Sequence, residues 1–129
     1  MVRTSLSLLA LLLVSAAPAP RQPRPPRIVS INPCIDAVLM QVADPRQIAG
    51  ISHYSQDPRA TSIPVGQARR FHATSGTAEE VVALAPDTVL SGPHVNPATL
   101  AALKRLRIAV VQYPVPETCL LYTSPSPRD

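Results

Sequence analysis

The chain has 129 residues, of which 46% are hydrophobic and 16% are charged, with 16 prolines, 4 glycines and no tryptophan. This length suits one domain at most, and the core must consist of aliphatic side chains because only 3 tyrosines and 1 phenylalanine are present. The formal net charge is +4, but residues 27–118 carry eight basic and seven acidic side chains, so the excess lies near the two ends. A nucleic-acid-binding face needs clustered positive charge on the folded part, and we therefore expect no nucleic-acid partner.

The first 16 residues have the features of a cleavable secretory signal peptide. Arg3 provides the positive charge, and an apolar run follows over residues 6–14. The small residues at 14–16 favour cleavage before Ala17. The apolar run is much shorter than the roughly 20 residues that a membrane-spanning helix needs. We therefore expect residues 1–16 to be removed and the protein to be exported to the periplasm.

Two further segments are expected to lie outside the fold. Residues 17–26 contain five prolines and two arginines, a composition typical of an extended linker. Residues 119–129, CLLYTSPSPRD, break the preceding pattern and resemble the translated end of an adapter used in preparing sequencing libraries. We expect this tail to be artefactual, which leaves residues 27–118 as the folding unit.

Strand and helix signals alternate along the folding unit. Strands are predicted over residues 27–31, 47–52, 87–91 and 108–113, and a short strand over 63–65 within a long connection, 53–76. Asn32-Pro33 and Asn96-Pro97 each place an N-cap residue before a proline at the first helical position. They predict helices over residues 34–43 and 97–107. The alternation predicts an α/β fold with a parallel sheet flanked by helices.

A third helix is predicted over residues 77–85. Thr77 and Glu80 form a capping box, in which the Thr77 hydroxyl accepts from the Glu80 N–H and the Glu80 carboxylate accepts from the Thr77 N–H. One apolar face follows, made by Ala78, Val81, Val82 and Ala85. Glu79, at the second helical position, then points outward.

Ligands of a parallel sheet bind at the carboxyl ends of its strands. The candidate residues that follow the predicted strands there are Asn32, Pro33, Cys34, His53, Tyr54, His94 and Tyr113. The two tyrosine rings suit stacking against a flat ligand, and Arg69 and Arg70 in the long connection suit an anionic one. Structural roles stay open for all of them: core filling for the tyrosines, a solvated pair for the arginines and a buried apolar position for Cys34.

No catalytic motif stands out. The sequence has no Gly-rich phosphate loop, P-loop or nucleophile elbow, and the adjacent Glu79 and Glu80 diverge on their helix. His53, His72 and His94 match no zinc-site spacing, and exposed loop histidines are expected. We therefore expect a binding protein without catalytic residues, metal or cofactor. Two alternatives stay open: an exported α/β metal-dependent hydrolase that uses His53 and His94, and a small interaction protein that keeps its apolar end as an anchor.

Three stretches of the chain share a pattern with a known family. They are RIVSINPCID at 27–36, IAGISHYS at 48–55 and TAEEVVALAPDTVL at 77–90. Together they resemble the periplasmic substrate-binding proteins of iron-chelate and vitamin B12 ABC importers, whose two lobes are joined by one long helix. The resemblance covers the first, Rossmann-like lobe, about residues 27–117. The connecting helix and second lobe are absent, so we expect no closed cleft.

The resemblance also implies a function. Members capture an iron chelate, heme or cobalamin between their lobes and deliver it to a membrane permease driven by an ATPase, and we expect a monomer. It implies that Glu79 pairs with permease arginines and that Tyr54 lines the ligand cleft. Arg107 stands where the family usually has glycine, which implies a costlier turn before the last strand. Gly92-Pro93-His94 replaces an aromatic of the B12-binding members, which favours an iron chelate or heme.

Overall fold

The computed structural model describes residues 24–114. They form a five-stranded, wholly parallel sheet in the order β3-β2-β1-β4-β5. The strands are β1 (Ile28–Ser30), β2 (Ile48–Ser52), β3 (Ala73–Thr74), β4 (Thr88–Ser91) and β5 (Ala109–Gln112). The helices are α1 (Pro33–Val42), α2 (Val65–Ala68), α3 (Ala78–Ala83) and α4 (Pro97–Arg105). A first 3₁₀ turn covers Pro45–Gln47 and a second covers His53–Gln56. The predicted α/β fold is confirmed.

The predictions for the two ends of the chain fall mostly outside this range. The signal peptide at 1–16, most of the linker at 17–26 and the tail at 119–129 lie outside the described residues. The last three linker residues are exposed.

The asparagine N-caps explain where the two longer helices begin. The Asn32 Oδ1 accepts from the backbone N–H groups of Cys34 at 2.9 Å and Ile35 at 3.3 Å. The Asn96 Oδ1 accepts from the Ala98 N–H at 2.8 Å. Both bonds satisfy donors that a helix start leaves without an intrahelical partner. The predicted starts of α1 and α4 are therefore confirmed to within a residue.

The capping box at α3 is only half formed. The Thr77 hydroxyl accepts from the Glu80 N–H at 3.4 Å, as predicted. The Glu80 carboxylate, however, accepts from the Ser75 N–H at 2.6 Å and the Thr74 hydroxyl at 3.0 Å, so its predicted bond to Thr77 was wrong. These bonds keep the pKa of Glu80 below its ordinary value. They tie the start of α3 to the end of β3.

The long connection 53–76 contains three short elements that the sequence pattern does not resolve: the second 3₁₀ turn, α2 and β3. The predicted strand at 63–65 was wrong. Pro64 has no N–H for a strand ladder, and its carbonyl instead accepts from the N–H groups of Gln67 and Ala68 at the start of α2. At α3, Ala85 adopts a left-handed φ of 47°, so the helix ends earlier than predicted.

Two aliphatic clusters fill the opposite faces of the sheet. On one face, Val81 of α3 and Leu103 of α4 pack with Val29 and Val89 of the sheet. On the other face, Leu39 of α1 and Ala68 of α2 pack with Ile48 and Ile51. The side chains of neighbouring residues in one strand pack into opposite clusters, because successive side chains of a strand point to opposite faces of the sheet. Within residues 24–114, no helix has the length and apolar character of a membrane span.

The turn between α4 and β5 is formed without glycine. Arg107 has a left-handed φ of 58°, and its N–H donates to the Lys104 carbonyl at 3.0 Å. An L-residue with a β-carbon pays a steric cost in this conformation, whereas glycine does not. The predicted costlier turn at this position is confirmed.

Candidate functional site

Each of the first four strands ends in a buried hydroxyl residue. These residues are Ser30, Ser52, Thr74 and Ser91, all at most 3% exposed. Because the strands are parallel, the four hydroxyl residues lie along one edge of the sheet, which we call the outgoing edge. The loops that follow them form a surface above this buried polar layer. The amino ends of the strands form the opposite, incoming edge.

The loops after β1 and β4 are in close contact at the outgoing edge. A β-carbon placed on Gly92 would lie 2.6 Å from the Asn32 Nδ2, so only glycine lets this backbone approach the asparagine side chain. Asn32 is held by its capping bonds to α1. The neighbouring Cys34 is exposed and has no disulfide partner within residues 24–114, so the buried position considered for it was wrong.

The second 3₁₀ turn presents His53 and Tyr54 together. The His53 Nδ1 lies 3.2 Å from the Thr74 carbonyl oxygen, and because a carbonyl oxygen only accepts, Nδ1 is the donor of this bond. The two rings lie 4.0 Å apart between centroids and are tilted by 36°. Tyr54 is 53% exposed. It therefore does not fill the core, and its ring is accessible to a ligand.

Tyr113 and His94 complete this surface. Tyr113 is 49% exposed, and its N–H donates to the Ser91 carbonyl at 2.8 Å, which fixes it beside β4. His94 is exposed in the loop after β4. The structure thus brings most of the candidate residues to the outgoing edge: Asn32, Pro33, Cys34, His53, Tyr54, His94 and Tyr113.

The arginine pair does not join them. Arg69 is the C-cap residue of α2, and Arg70 lines a shallow cavity of about 280 Å³ with Arg46, Ile48 and His72. This cavity lies at the incoming edge, because the chain must return there before a parallel β3 can begin. The expectation that Arg70 shares the surface of Tyr54 is corrected for this reason, whereas the ligand contact expected for Arg69 stays a prediction.

Glu79 and the histidines occupy exposed positions. Glu79 lies in the first turn of α3 and is exposed, whereas the neighbouring Glu80 is engaged with β3. His53, His72 and His94 are all exposed, as predicted. Among residues 24–114, no group of three or more His, Cys, Asp and Glu side chains is arranged to hold a metal ion.

Sequence reasoning missed one residue of this region, Asp36. It is fully buried, and its Oδ2 accepts from the Ser52 N–H at 2.9 Å and from the Ser55 hydroxyl at 2.5 Å. Burial raises the pKa of this carboxyl to about 6. Its Oδ1 has no hydrogen-bond partner among the described residues. The available signal was a single acidic residue in an otherwise apolar helix.

Among the comparisons with known proteins, the search of solved structures gives matches. No family model matches, and a search of the curated proteins finds no match. The solved structures that match include a periplasmic heme-binding protein from Pseudomonas aeruginosa at 21% identity and TM-score 0.54, RhuT from Roseiflexus sp. RS-1 at 18% and 0.58, and BhuT in complex with two hemes at 19% and 0.55. The chain shares the fold of these periplasmic heme-binding proteins. The resemblance drawn from the sequence is confirmed at the level of the fold.

The match to the periplasmic heme-binding proteins covers only part of them. It extends over 70% of this chain and over 32% of the Pseudomonas aeruginosa protein and 34% of RhuT and BhuT. The chain therefore spans about a third of the length of the solved structures it matches.

Proposed function

We propose that the chain is the first lobe of a periplasmic solute-binding protein of an ABC importer, and that the outgoing edge is its half of the ligand cleft. The observation that carries this proposal is the presence of two half-exposed tyrosines and an oriented histidine on one edge of this fold. Exposed tyrosine rings that follow the carboxyl ends of parallel strands suit a ligand surface, because ligands of such sheets bind there. The action is non-covalent capture, with no catalytic step.

The ligand we favour is a flat metal chelate, with heme first. The solved structures with this fold include proteins described as heme-binding, and one of them contains two hemes. Tyr54 offers an exposed ring for stacking, and the bond of His53 to Thr74 fixes the orientation of its imidazole. An iron–siderophore chelate is the next candidate, and cobalamin is disfavoured because Gly92-Pro93-His94 contains no Phe, Tyr or Trp.

Delivery to a permease and its ATPase is the second part of the proposal. The exposed Glu79 follows β3 at the outgoing edge and is the residue we assign to docking on permease arginines. The protein acts as a periplasmic monomer. A second lobe is needed to close over the ligand, since a single edge buries only part of it.

Hemin titration tests the capture step. Absorbance of hemin is followed as this chain is added, for the wild type, Tyr54→Ala and Tyr54→Phe. We expect Tyr54→Ala to weaken hemin binding about tenfold, the range for loss of an aromatic contact, and Tyr54→Phe to keep most of the affinity through its ring. Equal affinity in all three proteins contradicts the placement of Tyr54. Competition by cobalamin or by a ferric siderophore chelate then ranks the three ligand classes.

The docking step needs a two-lobed version of the protein with its permease. We expect Glu79→Ala to reduce stimulation of the transporter ATPase while the affinity for hemin stays unchanged, because Glu79 is exposed and takes no part in the capping box. Undiminished stimulation contradicts the docking role.

A further inference from the structure

Asp36 is a buried charged group that the proposed function does not by itself require. It lies in the first turn of α1 and is fully buried beneath the outgoing edge. Burying an ionised carboxylate is unfavourable unless it is fully paired, and no ion pair involving Asp36 is present among the described residues. A group kept at such a cost, next to a ligand surface, is a candidate for a functional role.

The hydrogen bonds of Asp36 join two separate loops of the outgoing edge. Its Oδ2 accepts from the Ser52 N–H at 2.9 Å and from the Ser55 hydroxyl at 2.5 Å. Ser52 and Ser55 lie on either side of His53 and Tyr54 in the chain. Asp36 itself is only two residues beyond Cys34, on the helix that Asn32 caps. A single carboxylate thus connects the loop at 32–34 with the turn that presents the imidazole and the phenol.

We propose that Asp36 is a positioning residue, whose carboxylate holds the turn carrying His53 and Tyr54 against the loop at 32–34 so that both form one ligand surface. The ligand part of this inference rests on the proposed function. The positioning part rests on the geometry alone. Asp36 acts through the two serines and touches no ligand itself.

The strength of this connection depends on the charge of Asp36. An ionised carboxylate accepts both bonds strongly, whereas a protonated one is a weaker acceptor. The groups that face it are neutral: the Ser30 hydroxyl of β1, the Ser52 amide of β2 and the Ser55 hydroxyl of the second 3₁₀ turn. His53, on that turn, points its ring to Thr74, and its charge acts on Asp57 and Glu80.

A ligand-free NMR titration tests the connection. The backbone amide of Ser52 is followed from pH 4 to 8 in the wild type, Asp36→Asn and His53→Gln, with Asp44→Asn as a matched control at the incoming edge. We expect a single titration with a midpoint near 6 in the wild type, its retention in His53→Gln and Asp44→Asn, and its loss in Asp36→Asn. A flat profile in the wild type, or a titration that survives Asp36→Asn, overturns the dependence of this connection on the charge of Asp36, whereas hydrogen exchange decides the positioning role.

Amide hydrogen exchange and hemin binding separate positioning from mere stability. We expect Asp36→Asn and Ser55→Ala to speed exchange at Tyr54 about tenfold, as loss of a bond to a charged group does, with unchanged exchange at Val29 in the core. Unchanged exchange at Tyr54 in both variants overturns the positioning role. We expect hemin affinity to fall several-fold in both variants and to be unchanged in Asp44→Asn. If hemin binds neither to this chain nor to a two-lobed version of the protein, the proposed function fails, and the exchange result still decides the positioning role.

Discussion

The incoming and outgoing edges of the sheet differ in how their polar groups are hydrogen-bonded. At the incoming edge, the Arg27 guanidinium donates to the Leu84 carbonyl at 2.8 and 3.2 Å, and Asp87 accepts from the Arg27 N–H at 2.7 Å and from Arg24 at 2.9 Å. These bonds join the end of α3 to the starts of β1 and β4. The side chains of Arg27 and Asp87 thus have partners within the fold.

The outgoing edge leaves polar and aromatic groups without such partners. Among the described residues, the Asp36 Oδ1 and the Ser91 hydroxyl are buried and have no hydrogen bond, and Tyr54 and Tyr113 are about half exposed. Groups satisfied by the fold contribute to its stability, whereas unsatisfied groups next to a surface indicate a function outside the fold. The two edges of one sheet thereby separate the stabilising part of the molecule from the binding part.

The largest effect is expected for the pH dependence of stability at Asp36. Its pKa is about 6 in the folded state, against an ordinary value of 3.8, so the folded state holds the proton more tightly than the unfolded chain does. Lowering the pH from about 8 to 3 should therefore stabilise the fold by about 3 kcal/mol through this group, and raising the pH through 6 should remove that gain. In Asp36→Asn this contribution should be absent. Urea unfolding at several pH values measures the difference; identical pH profiles for both proteins contradict it.

A smaller loss of stability is expected from Arg27→Ala at the incoming edge. The substitution removes the bonds to the carbonyl groups at the end of α3 and should cost about 2 kcal/mol of unfolding free energy. Arg24→Ala breaks only an exposed ion pair and should cost less than about 1 kcal/mol. Neither should alter hemin binding. A loss of hemin affinity in Arg27→Ala with the fold intact would contradict the separation of the two edges.

The smallest effect is a gain of stability at the turn before β5. Replacing Arg107, whose φ is 58°, by glycine relieves the left-handed strain and should stabilise the fold by about 0.5–1 kcal/mol. The same replacement at Arg105, the last residue of α4, should destabilise it by about 1 kcal/mol. Thermal unfolding of the two variants should thus show shifts of opposite sign, and shifts of the same sign would contradict the assigned strain.

Local signals explain why much of the fold is predictable from the sequence. The Asn-Pro pairs at 32–33 and 96–97 specify two helix starts through bonds within three residues, and β-branched runs specify four of the five strands. The strand β3 was missed because it has two residues and forms only by pairing with β2.

The buried part of the candidate site depends on contacts between distant residues. Asp36 meets Ser52 and Ser55, which are 16 and 19 positions away, only once α1 packs beside β2. The exposed part was predictable, because strand order alone places Tyr54 and Tyr113 at the outgoing edge. The sequence thus predicts the surface residues of the site, whereas the carboxylate beneath them becomes visible only in the folded chain.

Paramagnetic NMR with hemin tests the binding role of the outgoing edge most directly. The ferric ion of hemin broadens the amide signals of residues near its binding surface, so one titration of this chain compares both edges at once. We predict broadening at the amides that flank this surface, those of Asn32, Cys34, His53, Tyr54, Gly92, His94 and Tyr113, with sharp signals at Arg46 and at 70–72 around the incoming-edge cavity. Broadening confined to the incoming edge, or no selective broadening at all, would contradict the assignment of the ligand surface.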